Sequence, residues 1–130
     1  MATTEMNYVE GGGRTPINLW VTSDKSVAPS GSTPVTLSDA IENYDEVRIT
    51  YRNSTTDTFE REMIFKVSEA KTDSNTKYVY FGGYLGSTGT YARYMSVNGG
   101  TSMTIGNCYQ IQGSGSNNNL FYPVSIDGFK

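Results

Sequence analysis

Apolar and polar residues alternate most regularly over Asn43 to Asn53. Val47, Ile49 and Tyr51 fall on one side of that stretch, and Arg48, Thr50 and Arg52 on the other. A period of two predicts a β-strand with its back on a core and its front in water. A second run, Phe59 to Ser68, follows a polar loop at Ser54-Thr55-Thr56-Asp57 and is expected to pair back on the first. Charge restricts the register. Arg52 opposite Glu60 or Glu62 makes an outward ion pair, and a slip the other way sets Arg48 opposite Glu62; each such pair contributes ~0.2–1 kcal/mol. Met63, Phe65 and Val67 then point inward. Arg61 shares their parity, which places it at the open end of the sheet or beside a bulge.

The rest of the chain repeats this pattern in shorter pieces. Ile17 to Thr22 reads as the first strand, with Ile17, Leu19 and Val21 on one face and Trp20 on the other. Pro34 to Ser38 is a short strand with proline at its tolerated first position. Ser38 to Asn43 reads as one helical turn or a bend into the central strand. Ser68 to Thr76 is a polar turn region. Lys77 to Phe81 is a strand of aromatic and β-branched residues, interrupted by Gly82-Gly83 before Tyr84-Leu85. Gly86 to Gly89 is a turn. Tyr91 to Val97 and Thr101 to Ile105 flank Asn98-Gly99-Gly100, a hairpin signal. A two-residue loop there puts Tyr94 opposite Met103 and Ala92 opposite Ile105, and a three-residue loop puts Met95 opposite Met103. Asn107 to Gln112 is a further strand, and Gly113 to Asn119 a loop. Leu120 to Phe129 closes the chain, with Tyr122, Val124 and Ile126 on one face. Eight or nine short strands joined by Gly, Ser and Asn turns predict an all-β antiparallel β-sandwich of jelly-roll type. Residues 1–16, with Gly11-Gly12-Gly13, read as a flexible lead-in, and residues 17–130 as the folded domain.

Composition narrows the chemistry. A chain of 130 residues is long enough for one core without disulfides or metal. The net charge of −3 is spread along it, with no basic stripe for nucleic acid. No apolar run approaches membrane-spanning length, and the first residues lack the basic and apolar regions of a secretory signal. There is no histidine, which removes the Ser–His and Cys–His catalytic pairs and the commonest zinc ligand. The single cysteine, Cys108, reads as a small buried apolar group rather than a nucleophile.

Asp39, Glu42, Asp45 and Glu46 lie close in sequence, and carboxylates near a bend could hold Ca²⁺. The spacing of a calcium loop is missing, so they read as a solvated acidic turn. Gly82, Gly83 and Gly86 are no phosphate loop, since no helix and no Lys-Ser/Thr ending follow. Spacing favours no pair of carboxylates for glycoside hydrolysis. No cofactor, no metal and no enzymatic activity are expected.

Tyrosine is the residue type that points to binding. Among ten tyrosines, Tyr78, Tyr80, Tyr84, Tyr91 and Tyr94 concentrate in one third of the chain. Such rings stack on sugar faces or anchor interfaces; in a small β-protein most of them serve as core and cross-strand partners. The candidate ligand-binding residues are Tyr80, Tyr84, Tyr91 and Tyr94, Arg93 as a hydrogen-bonding fork, and the Asn117, Asn118 and Asn119 loop.

The order of the pieces resembles the C-terminal domain of bacteriophage and prophage tail proteins of gut and other Gram-positive bacteria. The resemblance is carried by Leu19-Trp20-Val21-Thr22-Ser23, then Pro34-Val35-Thr36-Leu37-Ser38-Asp39. Tyr44-Asp45-Glu46-Val47-Arg48-Ile49-Thr50-Tyr51 follows with its Ser54-Thr55-Thr56 turn, and Pro123-Val124-Ser125-Ile126-Asp127-Gly128-Phe129-Lys130 ends the match. It spans residues 17–130. It implies a virion structural domain at a tail-fibre or tail tip, assembled with other tail subunits. It also implies a homo-oligomer, with a trimer favoured, that touches a host surface glycan. It supplies no catalytic residues. The short lead-in departs from members with long shaft or attachment regions. The alternative expectation is an extracellular carbohydrate-binding module of a secreted bacterial protein. An enzyme such as a depolymerase is a third and weaker one.

Overall fold

A computed structural model describes residues 14–86 and 89–130. Nine strands form: β1 (Ile17–Val21), β2 (Thr33–Thr36), β3 (Glu46–Ser54), β4 (Asp57–Lys66), β5 (Lys71–Asp73), β6 (Thr76–Tyr84), β7 (Thr90–Val97), β8 (Ser102–Gln110) and β9 (Leu120–Phe129). Two single 3₁₀ turns, Ile41–Asn43 and Val67–Glu69, complete the regular structure of the described residues. The part of the expected lead-in at 1–13 lies outside the described residues.

The strands make two antiparallel sheets, ordered β1-β9-β3-β4 and β2-β8-β7-β6-β5. This is the expected β-sandwich. The chain's ends wrap around each other, with β1 paired to β9 in one sheet and β2 to β8 in the other; past those two pairs the nesting expected of a jelly roll stops, because β3 pairs with its own neighbour β4. Strands β5 to β8 form a plain meander.

The central strand behaves as its alternation demands. Val47 and Ile49 are buried and Tyr51 is half-buried on the inner face, opposite Phe65, Met63 and Arg61 of β4. Tyr51 spans the sandwich, its ring 5.1 Å from that of Phe81 and 6.4 Å from that of Phe121. Arg52 stands opposite Glu60, one of the registers that charge allows. Arg61 lies close to the bulge between Arg52 and Ser54, the second of its two expected places, and donates to Asp57 at 3.1 Å.

Several local expectations are corrected. The hairpin at Asn98 closes with Val97 opposite Met103 and Met95 opposite Ile105, which is neither expected register. Its loop is longer: the Asn98 N–H donates to the Ser102 carbonyl, and the Ser102 N–H to that of Gly99. The two strands expected at 101–105 and 107–112 are one strand, β8, whose register shifts opposite Tyr94. Gly82-Gly83 does not interrupt β6, which pairs through both with Ala92 and Tyr91. A Cβ on Gly82 would lie 2.1 Å from the Tyr91 carbonyl oxygen, so only glycine lets the strands approach there. In β9 a shift between the partners of Thr50 and Tyr51 moves Tyr122 opposite Arg52, on the outer face, while Ile126 stays inward opposite Ile49. In β1 only Leu19 is buried; Ile17 and Val21 are exposed.

Candidate functional site

The two sheets present outer faces of opposite character. In an antiparallel pair, directly opposed residues share a face and successive residues switch faces. On the first sheet the outward residues of β3, β4 and β9 form an ion-pair lattice. Arg48 meets Asp127 at 3.1 Å and Glu62 at 3.8 Å, and Glu60 meets Lys25 at 3.1 Å and Arg52 at 3.4 Å. The loop between β1 and β2 is fastened over it: the Lys25 carbonyl accepts from the Tyr122 hydroxyl at 2.8 Å and from Arg52 at 3.2 Å. A hydrogen bond from Lys25, ahead of the contribution of Arg52, holds the Glu60 carboxyl below its ordinary range. Arg48 and Arg14 also cover the ring of Phe129, at 5.4 and 5.9 Å from its centroid.

The second sheet is different. Strands β6, β7 and β8 hold just two charged residues, Lys77 and Arg93. Both have the parity of the buried residues Val79, Phe81, Tyr91 and Met95. The opposite parity carries Tyr78, Tyr80, Gly82 and Tyr84 on β6, and Thr90, Ala92, Tyr94 and Ser96 on β7, with Tyr109 of β8 opposite Ala92. The outward face of these strands is therefore uncharged and rich in tyrosine. Tyr80 is 52% exposed, Tyr84 74% and Tyr109 48%.

Backbone packing shapes this face. The Tyr80 and Tyr94 rings are cross-strand partners, 6.3 Å apart and tilted by 37°. Tyr94 lies over Gly106 so closely that a Cβ there would come within 2.3 Å of its Cζ. Gly82 and Ala92, opposed in register, leave a low floor between Tyr80 and Tyr84. Asn107 donates to the Tyr109 hydroxyl at 3.1 Å, and its own carbonyl oxygen accepts from Asn118 at 3.1 Å. A groove of about 490 Å³ between β4 and β6, lined by Met63, Phe65 and Tyr78 and by the charged Glu46, Lys66 and Glu69, reaches Tyr80, and Lys71 of β5 stands opposite Tyr78.

The expected site residues separate into three groups. Tyr80, Tyr84 and Tyr94 come together on the uncharged face. Tyr91 and Arg93 do not: both are buried, with the inward parity of β7. Arg93 cannot offer a fork to solvent, because its fork is spent inside. Nη1 donates to the Gly106 carbonyl at 2.9 Å, and Nη2 to those of Asn118 at 2.5 Å and Leu120 at 3.3 Å. Burial lowers its pKa. Burial likewise pushes up the thiol of Cys108, which faces Arg93 across β8. Asn118 is a brace, accepting from the Cys108 N–H at 2.8 Å through its side chain. Asn117 and Asn119 are exposed beside β8; the Asn117 side chain accepts from the Asn119 N–H at 3.0 Å. Tyr109 and its positioner Asn107 were not anticipated. The signal for Tyr109 was its neighbour: if Cys108 points inward, the next residue of a strand points outward.

Three of the four acids of the acidic stretch are engaged by internal contacts, and Glu42 is exposed. Asp39 accepts from Ala40 N–H, Asn43 and the Tyr44 hydroxyl, and Arg14 binds Asp45 at 3.2 Å and Glu46 at 2.6 Å. Among the described residues, no group of three or more His, Cys, Asp or Glu side chains is arranged to hold a metal ion. Compared with protein-family models and with curated proteins, the chain matches none.

Proposed function

We propose that this chain is a non-enzymatic structural domain of a phage or prophage tail fibre or tail tip, acting as a homo-oligomer, and that the outer face of its second sheet binds a host cell-surface glycan. The observation that carries the binding role is that face itself: Tyr80, Tyr84, Tyr94 and Tyr109 around the Gly82–Ala92 floor, with no charged side chain among them. The Tyr80–Tyr94 pair also supports the sheet as a cross-strand contact, but exposed clusters of such rings mark interaction surfaces. The tail assignment rests on the ordered resemblance over residues 17–130, and the non-enzymatic one on a chain without histidine and on strands β6, β7 and β8 without a carboxylate.

The same face also favours a second reading, a carbohydrate-binding module of a secreted bacterial protein. Gene neighbourhood separates the two: capsid and tail genes favour the first, and hydrolase modules the second. The binding role is tested with fluorescently labelled protein on candidate host cells. Wild-type protein decorates cells and Tyr84→Ala does not. Equal decoration by both removes this face from the binding role.

A further inference from the structure

We infer that two copies of this chain pair through the free edge of β4, antiparallel and about a two-fold axis at Ile64. The inference deepens the homo-oligomer reading above and rests on it. It makes the assembly a dimer, in place of the trimer that the resemblance favours. Three observations carry it.

The first is the edge. β4 pairs with β3 on one side, and no described strand lies on the other. In an antiparallel ladder every second residue of an edge strand turns its N–H and C=O away from its neighbour, a template for another strand. The other outer strands are blunted. β1 has five residues and a shift between Asn18 and Trp20, β2 has four including Pro34, and β5 has three. Past β5 the edge of β6 is open too, from Val79 to Tyr84, but it holds Gly82-Gly83 and no charge to fix a register. β4 has ten residues, and none of them is buried.

The second is what the edge exposes. Ile64 is 42% exposed on the outer face, opposite Arg48 in a lattice of charges. On the inner face Met63 and Phe65 are half-buried and line the open groove between β4 and β6. A second strand alongside covers all three.

The third is a self-complementary register. Opposed residues of an antiparallel pair share a face, so a two-fold axis between two copies of β4 passes through one residue position. An axis at Arg61 or Glu62 sets like charges against each other. An axis at Met63 sets Glu62 against Ile64 and Arg61 against Phe65, and one at Phe65 sets Ile64 against Lys66. At Ile64 every pair matches. Ile64 meets its own copy, Met63 meets the partner's Phe65, and Glu62 meets the partner's Lys66, the last two twice by symmetry. Glu62 and Lys66 are both exposed, and Glu62 has only the longer 3.8 Å contact with Arg48. Glu60 and Arg61, engaged with Lys25, Arg52 and Asp57, lie outside this ladder. An axis normal to the sheet also leaves both tyrosine faces pointing the same way. The dimer then offers two copies of the proposed binding face to one surface.

The test is the mass of the full chain by sedimentation from about 5 to about 500 µM, a span that brackets weak specific contacts. The wild-type chain is expected to shift from monomer toward dimer. Glu62→Lys, Lys66→Glu and Ile64→Lys are each expected to raise the concentration needed at least about tenfold. Mixing Glu62→Lys with Lys66→Glu is expected to restore the dimer, because one copy then carries both lysines and the other both glutamates. Circular dichroism checks folding, which substitution at three exposed positions leaves intact. An oligomer that survives every substitution, a wild-type trimer, or variants that stay apart on mixing overturns this contact and leaves the homo-oligomer reading standing. A wild-type monomer at every concentration overturns both.

Discussion

The ring of Tyr94 rests on the backbone of Gly106: a Cβ at residue 106 would sit 2.3 Å from Cζ and 2.5 Å from Cε1. The same glycine gives its carbonyl to Arg93, the residue before Tyr94. One position thus seats a half-buried ring on one face and a buried cation on the other. Gly106→Ala is expected to push the Tyr94 ring off its seat and cost about 1–3 kcal/mol through overpacking. Urea unfolding reads the cost, and sugar binding reads the lost ring. Unchanged stability and binding would mean that the ring does not depend on this contact.

Arg93 has no carboxylate partner among the described residues; three backbone carbonyls compensate its buried charge. Arg93→Ala orphans those acceptors and leaves a cavity, an expected loss of about 3–5 kcal/mol. That is a large share of the stability of a domain this size. Arg93→Lys is not conservative, because one ammonium cannot span carbonyls on β8 and in the loop before β9. It should recover less than half of the loss in the urea midpoint. Full recovery would show that charge alone matters at this site.

Asp39 and Tyr44 set a pH window. The Tyr44 hydroxyl first, then the Ala40 N–H and the Asn43 amide, hold the Asp39 carboxyl below its ordinary 3.8. Burial first, then Asp39, raises the Tyr44 phenol above its ordinary 10.0. A lowered acid stabilises the fold above its unfolded pKa, and a raised phenol does so below its own. The pair's contribution is therefore full between 3.8 and 10.0, and is lost as the pH falls or rises beyond those values. Tyr44→Phe should flatten the alkaline limb of a melting-temperature profile and weaken the acid limb. An unchanged alkaline limb would assign it to other groups.

Cys108 is buried and faces Arg93, and burial pushes its thiol pKa up. A thiol reacts as its thiolate, so this cysteine should resist a disulfide reagent at neutral pH until the chain unfolds. The rate of colour release against urea concentration checks it. Rapid labelling of the folded protein would show that the end of the sandwich opens on its own.

Arg52 and Glu60 form the cross-strand pair expected from charge, 3.4 Å apart, with Lys25 joining at 3.1 Å. A double-mutant cycle with Arg52→Met and Glu60→Gln should return a coupling of about 0.2–1 kcal/mol that shrinks in salt. A value near zero would leave the register to the inner apolar pairs alone.

What the amino-acid order determined by itself is local and periodic. The alternation of Val47, Ile49 and Tyr51 specified a strand with one buried face, and opposite charges on neighbouring runs specified the Arg52–Glu60 register. Both signals involve residues close along the chain, and both follow from a side-chain period of two. Turn chemistry between short strands was enough for a sandwich. The clustering of tyrosines between residues 78 and 94 located part of the uncharged face.

Tertiary structure decided which way the side chains point wherever a strand slips by one residue. A one-residue slip reverses every residue that follows it. The shift in β9 carried Tyr122 to the outer face. Arg93 turned inward because carbonyls from β8 and from the loop before β9 converge on it, and that loop lies 25 residues away in the sequence. That Tyr109 points outward follows from its buried neighbour Cys108, but that it stands beside Ala92 on the tyrosine face was decided by the β7–β8 pairing. Periodicity assigns a residue to one of two sides; only the assembled sheets decide which side is water.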